Sequence, residues 1–311
     1  MNRDDVDWYG YWAALPTPFD EDGALDENAL ASITRRVIDD GVHGILVNGS
    51  TGEWTAQSVD ERRRVAEVVI ATVAGRVPTA INVTAWTPTV AQQLAAHVAE
   101  AGGTSVMAAV PPGTRPTFQE ANGYFRSIFE SCPLPGWLYN FPQDSAARLS
   151  PTQLSALGDI DTVVAIKQSA PSTDELLQTI QLTGDRLRVF GHLITRLGVA
   201  LISSGFGGDG CIGSGMLLGA QQPAFFDLVL EGRTSEALEI ADRFEAMQFA
   251  LRGDADDYNW RYGGMQASLK AAMNILGQAG GYPRKPKLPI TDSHSLGRIR
   301  SGLVTAGQIP A

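Results

Sequence analysis

Short apolar runs alternate with longer amphipathic ones along most of this chain. Tyr11 to Leu15 reads as a first strand, and Leu25 to Asp40 as a helix with Leu30, Ile33, Val37 and Ile38 recurring on one face. Gly44 to Val47 is a second strand. The helix after it runs from Ser58 to Ala74 and opens on Ser58-Val59-Asp60-Glu61, a capping box. The same rhythm predicts strands at Thr79–Val83, Ser105–Val110, Gly136–Asn140, Thr162–Ile166, Leu187–Phe190 and Gly210–Ile212. It predicts helices at Thr87–Ala101, Thr117–Glu130, a short one after Ser150-Pro151, and Ser172–Leu182. From about Gln221 onward the chain reads as helices, including Ser235–Leu251 and Tyr262–Leu276.

Eight strand-then-helix alternations point to a parallel sheet. No GxGxxG fingerprint follows the first strand, and the count is eight. Both favour a closed (β/α)8 TIM barrel with a C-terminal helical extension over a doubly wound open sheet. The expected organisation is a single domain, with the barrel over about residues 10–232 and the C-terminal helices over about 233–311.

Composition narrows the function classes. A net charge of -10 argues against nucleic acid, and the short basic stretch Arg284-Lys285-Pro286-Lys287 reads as a solvated turn. Cys132 and Cys211 lie far apart, so no disulfide framework is expected and a reducing compartment fits. The charged start Met1-Asn2-Arg3-Asp4-Asp5 is unlike a signal peptide, and no apolar run reaches the roughly 18 to 20 residues of a membrane span. A cytoplasmic location is expected. None of the four histidines has metal-ligand spacing, so a bound metal is not expected.

Lysine usage is lopsided. Of 24 basic residues only Lys167, Lys270, Lys285 and Lys287 are lysines. Lys167 ends the apolar run Val163-Val164-Ala165-Ile166. Arginine cannot lose its proton there, whereas a buried lysine can. A neutral amine is the nucleophile that condenses with a ketone. The plainer reading is a lysine reaching solvent at a strand end.

Other constellations surround it. Asn48-Gly49-Ser50-Thr51-Gly52-Glu53 follows the second strand and offers two hydroxyls and backbone donors to a carboxylate. An ordinary capped turn would look the same. Tyr139-Asn140-Phe141-Pro142 ends the fifth strand, where a phenol close to Lys167 can shuttle a proton. The glycine-rich stretch Gly205–Gly215 lets backbone approach a ligand and brings Ile212 and Ser214 into consideration.

In their order and spacing, Leu15-Pro16-Thr17-Pro18-Phe19, Gly49-Ser50-Thr51-Gly52-Glu53, Tyr139-Asn140-Phe141-Pro142 and Ile166-Lys167-Gln168-Ser169 are specific. Over roughly residues 10 to 290 the chain resembles the dihydrodipicolinate synthase and N-acetylneuraminate lyase superfamily of class I pyruvate-dependent aldolases. The resemblance implies that Lys167 is the Schiff-base lysine and Tyr139 the proton-shuttling phenol. It implies that Ser50 and Thr51 hold the 2-oxo acid carboxylate, with Thr51 also in the proton relay. It further implies a homotetramer, as a dimer of dimers, and no metal or organic cofactor. Gly49, Gly52, Gly113, Phe141, His192, Ile212 and Ser214 are expected to contribute to substrate binding.

Three departures bear on the substrate. By resemblance, Gly113 occupies the position of a tyrosine that completes the proton relay from a neighbouring subunit, Asp144 that of an arginine, and Gly191-His192-Leu193-Ile194 lacks the acidic pair of sialic-acid lyases. A true dihydrodipicolinate synthase and a true sialic-acid lyase are both disfavoured on this reading. His192, a substrate hydroxyl or a bulkier substrate is expected to take up the place left at Gly113. The expected activity is cleavage or formation of a 4-hydroxy-2-oxo acid, a 2-keto-3-deoxy sugar acid in particular, with pyruvate as product or donor. The alternatives are a keto-deoxy sugar acid dehydratase and a hydratase-aldolase on an aromatic aldehyde with Trp54 and Phe141 lining its pocket. A non-catalytic pyruvate sensor is the alternative of another class.

Overall fold

A computed structural model of the protein describes residues 1–145, 147–252 and 263–310. The eight strands are β1 (Gly10–Ala14), β2 (Gly44–Val47), β3 (Thr79–Asn82), β4 (Ser105–Ala109), β5 (Gly136–Asn140), β6 (Val163–Gln168), β7 (Arg188–Phe190) and β8 (Gly210–Ser214). Each pairs in parallel with the next, and β8 returns to β1 through Gly10↔Gly210 to Ala14↔Ser214, closing the barrel. Between the strands run α1 (Glu27–Asp39), α2 (Val59–Val73), α3 (Pro88–Glu100), α4 (Phe118–Phe129), α5 (Pro142–Ser145), α6 (Pro151–Leu157), α7 (Thr173–Thr183) and α8 (Arg196–Ser203). After β8 come α9 (Gln221–Leu230), α10 (Thr234–Arg252), α11 (Met265–Ile275) and α12 (Ser293–Thr305). Among the described residues no helix is long and apolar enough to cross a membrane.

Local chemistry explains the helix starts. Reciprocal capping boxes open α2 (Ser58 with Glu61), α4 (Thr117 with Glu120) and α6 (Ser150 with Gln153), each satisfying two orphan backbone donors. Short elements escaped the sequence pattern, the four-residue α5 among them. Helix α8 has only eight residues and was not anticipated; its Thr195 cap accepts the Gly198 N–H at 3.0 Å. Helix α12 was covered only by the general helical reading of the C-terminal region. The expected helix start at Tyr262 and the expected chain end at Ala311 lie outside the described residues.

Strand alternation sorts side chains into two layers. Tyr11 and Ala13 face the helices, while Trp12 and Ala14 face the barrel interior. The interior floor is aromatic: Trp8 stacks on Trp137 at 4.7 Å, and Trp137 meets Trp12 and Phe190 edge-on, each at 4.9 Å. Gly44 is required beside this floor, because a Cβ there would lie 2.2 Å from the Trp12 ring. Ala14 and Ala109 sit higher in the interior and leave room above the floor.

One irregularity aims the site. Pairing runs Gly136↔Val163 and then Trp137↔Ala165, so Val164 is an extra residue in β6. Val163 packs in the outer layer and Ala165 in the inner one, and Lys167, two residues on, points into the barrel. Bulges re-aim side chains in this way beside functional sites.

In the Arg284 stretch Lys285 and Pro286 form an exposed turn, but Arg284 itself is held against the protein. The Arg284 guanidinium lies 4.0 Å from the Phe19 ring centroid and donates to the Glu61 carboxylate at 2.7 and 2.9 Å. It also binds the carbonyls of Gly23 and Ala56. The partners come from distant parts of the chain, so the local sequence held no trace of them.

Candidate active site

Lys167 is 8% exposed and lines a cavity of about 210 Å³ at the C-terminal end of the strands. Its nitrogen lies 4.3 Å from the centre of the Tyr139 ring. Tyr139 and Lys167 are register partners on β5 and β6. Burial strips water from the ammonium and lowers its pKa to about 8. The Cys211 thiol lines the same cavity and is pushed up to about 11, chiefly by burial, so it stays protonated near neutrality. Tyr139 stacks on Phe141 with ring centres 5.4 Å apart and planes within 6°.

The predicted residues divide by place. Tyr139, Phe141, Lys167, His192, Ile212 and Ser214 all line the cavity. Thr51 is buried behind that wall and shares a 3.0 Å hydrogen bond with the Ser214 hydroxyl. Ser50 turns away: its hydroxyl donates to Asp144 at 3.0 Å, and both line a smaller recess with Trp54, Tyr139 and Phe141. Trp54 therefore adjoins the recess and not the main cavity. Gly49 and Gly52 shape the loop, since a Cβ on Gly52 would crowd the Leu15 carbonyl at 3.2 Å. The structure does not bring Gly113 to the cavity: it is exposed, and its Cβ direction meets nothing within 4 Å in this chain.

The loop that carries Ser50 and Thr51 has a scaffold of its own. Asn48 and Glu53 flank it in the left-handed region, at φ 55° and 57°. The buried Arg62 of α2 donates to the carbonyls of Asn82 and Thr84 at 2.7 and 2.8 Å. Asn82 in turn donates to the Asn48 carbonyl at 2.7 Å, and Asn48 donates to the Arg62 carbonyl at 2.8 Å. On β5, the Asn140 amide donates to the Leu149 carbonyl and to the Gln168 side chain, tying the ends of β5 and β6 together beside Lys167.

Sequence reasoning missed one wall of the cavity. Phe244, Glu245 and Gln248 reach it from α10, and Gln143 and Thr195 complete a polar rim. Gln248 lies one helical turn on from Phe244 (i, i+4) and Glu245 (i, i+3), but that spacing alone does not say which face meets a cavity. Among the described residues no group of three or more His, Cys, Asp or Glu side chains is arranged to hold a metal. The chemistry on hand is thus an amine that loses its proton far more readily than an exposed lysine, a phenol against it, and hydroxyls on the adjoining wall.

Comparison with known proteins bears on this arrangement. The sequence profile of the dihydrodipicolinate synthetase family matches residues 7–299. The 4-hydroxy-tetrahydrodipicolinate synthase of Brucella suis is 30% identical over 245 residues, covering 78% of this chain and 82% of that protein. The enzyme of the same name from Methylobacterium radiotolerans is 28% identical over 285 residues, covering 91% of each chain. Among solved structures, YagE, an E. coli prophage protein of the dihydrodipicolinic acid synthase family crystallised with pyruvate, superposes with a TM-score of 0.87. It is 22% identical, over 98% of this chain and 100% of its own, a likeness of fold.

Proposed function

Because this chain belongs to the dihydrodipicolinate synthetase family, a family of class I pyruvate-dependent lyases, we propose that it cleaves or forms a 4-hydroxy-2-oxo acid through a Schiff base on Lys167. The observation that carries this reading is the buried lysine at the cavity, its pKa lowered by burial to about 8, against a tyrosine ring. In the cleavage direction the Lys167 amine adds to the C2 ketone, and loss of water leaves a protonated imine. Tyr139 gives its own proton to the departing hydroxyl of the carbinolamine and, as the phenolate, takes the proton from the 4-hydroxyl; the C3–C4 bond breaks and C4 leaves as an aldehyde. The bonding pair passes into the imine as an enamine. Protonation at C3 and hydrolysis release pyruvate and the free amine.

The proposed substrate class is a 2-keto-3-deoxy sugar acid. Gln143, Thr195 and Gln248 around the rim suit a polyhydroxylated tail. Glu245 at the rim and Asp144 at the adjoining recess disfavour a second carboxylate. The same carboxylates speak against a sugar diacid dehydratase and against an acceptor such as aspartate semialdehyde. The second reading, 4-hydroxy-tetrahydrodipicolinate synthesis, is favoured by the relatives at 28% and 30% identity. Assembly as a dimer of dimers and a cytoplasmic setting belong to the proposal by resemblance.

Two measurements test it. Borohydride reduction with pyruvate should leave an adduct on the Lys167 peptide and none in Lys167→Ala or Lys167→Arg, because a guanidinium stays protonated. An unmodified wild-type protein would sink the Schiff-base reading and leave no support for a pyruvate sensor working through this lysine. A panel of keto-deoxy acids, aromatic aldehydes and aspartate semialdehyde, followed by pyruvate release or consumption, then separates sugar-acid cleavage from dehydration, hydratase-aldolase chemistry and the second reading. Preference for aspartate semialdehyde would overturn the sugar-acid assignment.

A further inference from the structure

The rarity of lysine that marks Lys167 marks a second residue. Lys270, on α11, is 1% exposed and does not line the cavity. An ammonium has three N–H donors, and the structure supplies three acceptors. They are Glu53 Oε1 at 2.6 Å, the Thr17 carbonyl at 2.7 Å and the Tyr282 carbonyl at 2.8 Å. The Glu53 side chain is 0% exposed, and its other oxygen accepts the Arg284 backbone N–H at 3.1 Å. One nitrogen therefore joins the segment after β1, the loop after β2 and the segment after α11. A planar guanidinium fork cannot aim three donors around a single atom, which is why this site holds lysine in a chain that otherwise uses arginine.

The pair holds something particular. Glu53 closes the loop that begins at Gly49 and is kept there in the left-handed region at φ 57°. Thr51, two residues earlier, reaches Ser214 on the cavity wall at 3.0 Å. Stability alone is a weak reason for such an arrangement, since a buried ion pair can often be replaced by apolar residues of similar volume at no loss. A fixed geometry is what the apolar replacement would lose.

We infer that Lys270 is a positioning residue: through Glu53 it fixes the loop that carries Thr51, whose hydroxyl meets Ser214 on the wall of the cavity where a 2-oxo acid would bind at Lys167. The inference rests on the Schiff-base reading above, and wild-type trapping by pyruvate and borohydride is established first, so that failure of that reading is seen separately. The double variant Lys270→Met/Glu53→Gln removes both buried charges together and is the main test. It is expected to fold, by circular dichroism, and to need about tenfold more pyruvate for half-maximal trapping, equivalent to about 1.4 kcal/mol. Trapping at saturating pyruvate should fall much less, a split between binding and reaction that mere loss of folded protein does not produce. A folded double variant with half-saturation within about twofold of the parent overturns the inference.

Glu53→Gln alone keeps the volume and an acceptor for Lys270, and decides the matter if the double variant does not fold. It is expected to raise half-saturation about threefold or more, and an unchanged value overturns the inference equally. Arg188→Met is the control at the opposite rim, where Arg188 pairs with Asp209 at 3.0 Å. It should lower the melting temperature and leave half-saturation unchanged. A shift as large as that of the double variant would reduce the Lys270 effect to general destabilisation and overturn the inference.

Discussion

Lys167 and Tyr139 are register partners on β6 and β5, and the lysine nitrogen lies 4.3 Å from the centre of the tyrosine ring. The ring face favours the charged ammonium, whereas loss of water favours the free amine. Burial prevails, and the group titrates at about 8. The pairing places the nucleophile and the proposed proton carrier in one cavity without any contribution from loop residues.

The pH dependence of imine formation follows. Below about 8 most of Lys167 is protonated and has no lone pair; above it the free amine dominates. The rate of borohydride-trapped adduct formation should therefore rise through about pH 8 and level off beyond it. A rate still climbing steeply at about pH 10, as an ordinary exposed lysine would give, contradicts the burial argument.

Tyr139→Phe separates the ring from the hydroxyl. The ring stays under Lys167 and against Phe141, so trapping by pyruvate should persist. Turnover of the aldol substrate should fall by roughly 10²- to 10⁴-fold if the phenol moves the proton. An unchanged turnover number would leave Tyr139 with a packing role only.

Gly113 has φ 76° and open space along its Cβ direction. Gly113→Ala should cost about 1 to 2 kcal/mol of stability through backbone strain. Thermal or urea unfolding measures it. Activity should be little changed, because a methyl group brings neither a phenol nor much volume to a position that lies away from the cavity of its own chain. Loss of activity without loss of stability would return Gly113 to the binding site.

Asp144→Asn removes a charge and keeps an acceptor for the Ser50 hydroxyl. It should improve kcat/KM for aldehydes that carry a second carboxylate, with little change for neutral polyhydroxy aldehydes. Steady-state kinetics on one aldehyde of each kind tests this. Equal effects on both would show that the carboxylate does not discriminate.

Much of the arrangement was legible along the chain because its cues are local. Alternation of period two and helical spacing gave the eight strands, and Ser58-Val59-Asp60-Glu61 marked a helix start that the structure repeats as a full capping box. Helix α8 was not legible, because eight residues with a glycine at Gly198 carry too little periodicity. Lys167 and Tyr139 stood out because each ends an apolar strand, and parallel strands place such ends on one rim. Where Ser50 and Gly113 point was not legible in the same way: their loops follow strands, but neither lines the cavity within this chain, and their directions depend on packing elsewhere.

By itself the sequence determined the barrel, the rim on which chemistry gathers and the two side chains at its centre, since each follows from short-range periodicity and residue type. Tertiary structure alone decided which way those side chains point. The extra residue at Val164 shifts the pairing of β6, and with it the side of the sheet on which Lys167 lies. Closure of the barrel brought Ser214 to Thr51, α10 to the cavity and Lys270 to Glu53, across separations of 163 and 217 residues for the two hydrogen-bonded pairs. No local pattern encodes such contacts. They are fixed only when all eight strands have paired and the remaining donors and acceptors must find partners without water.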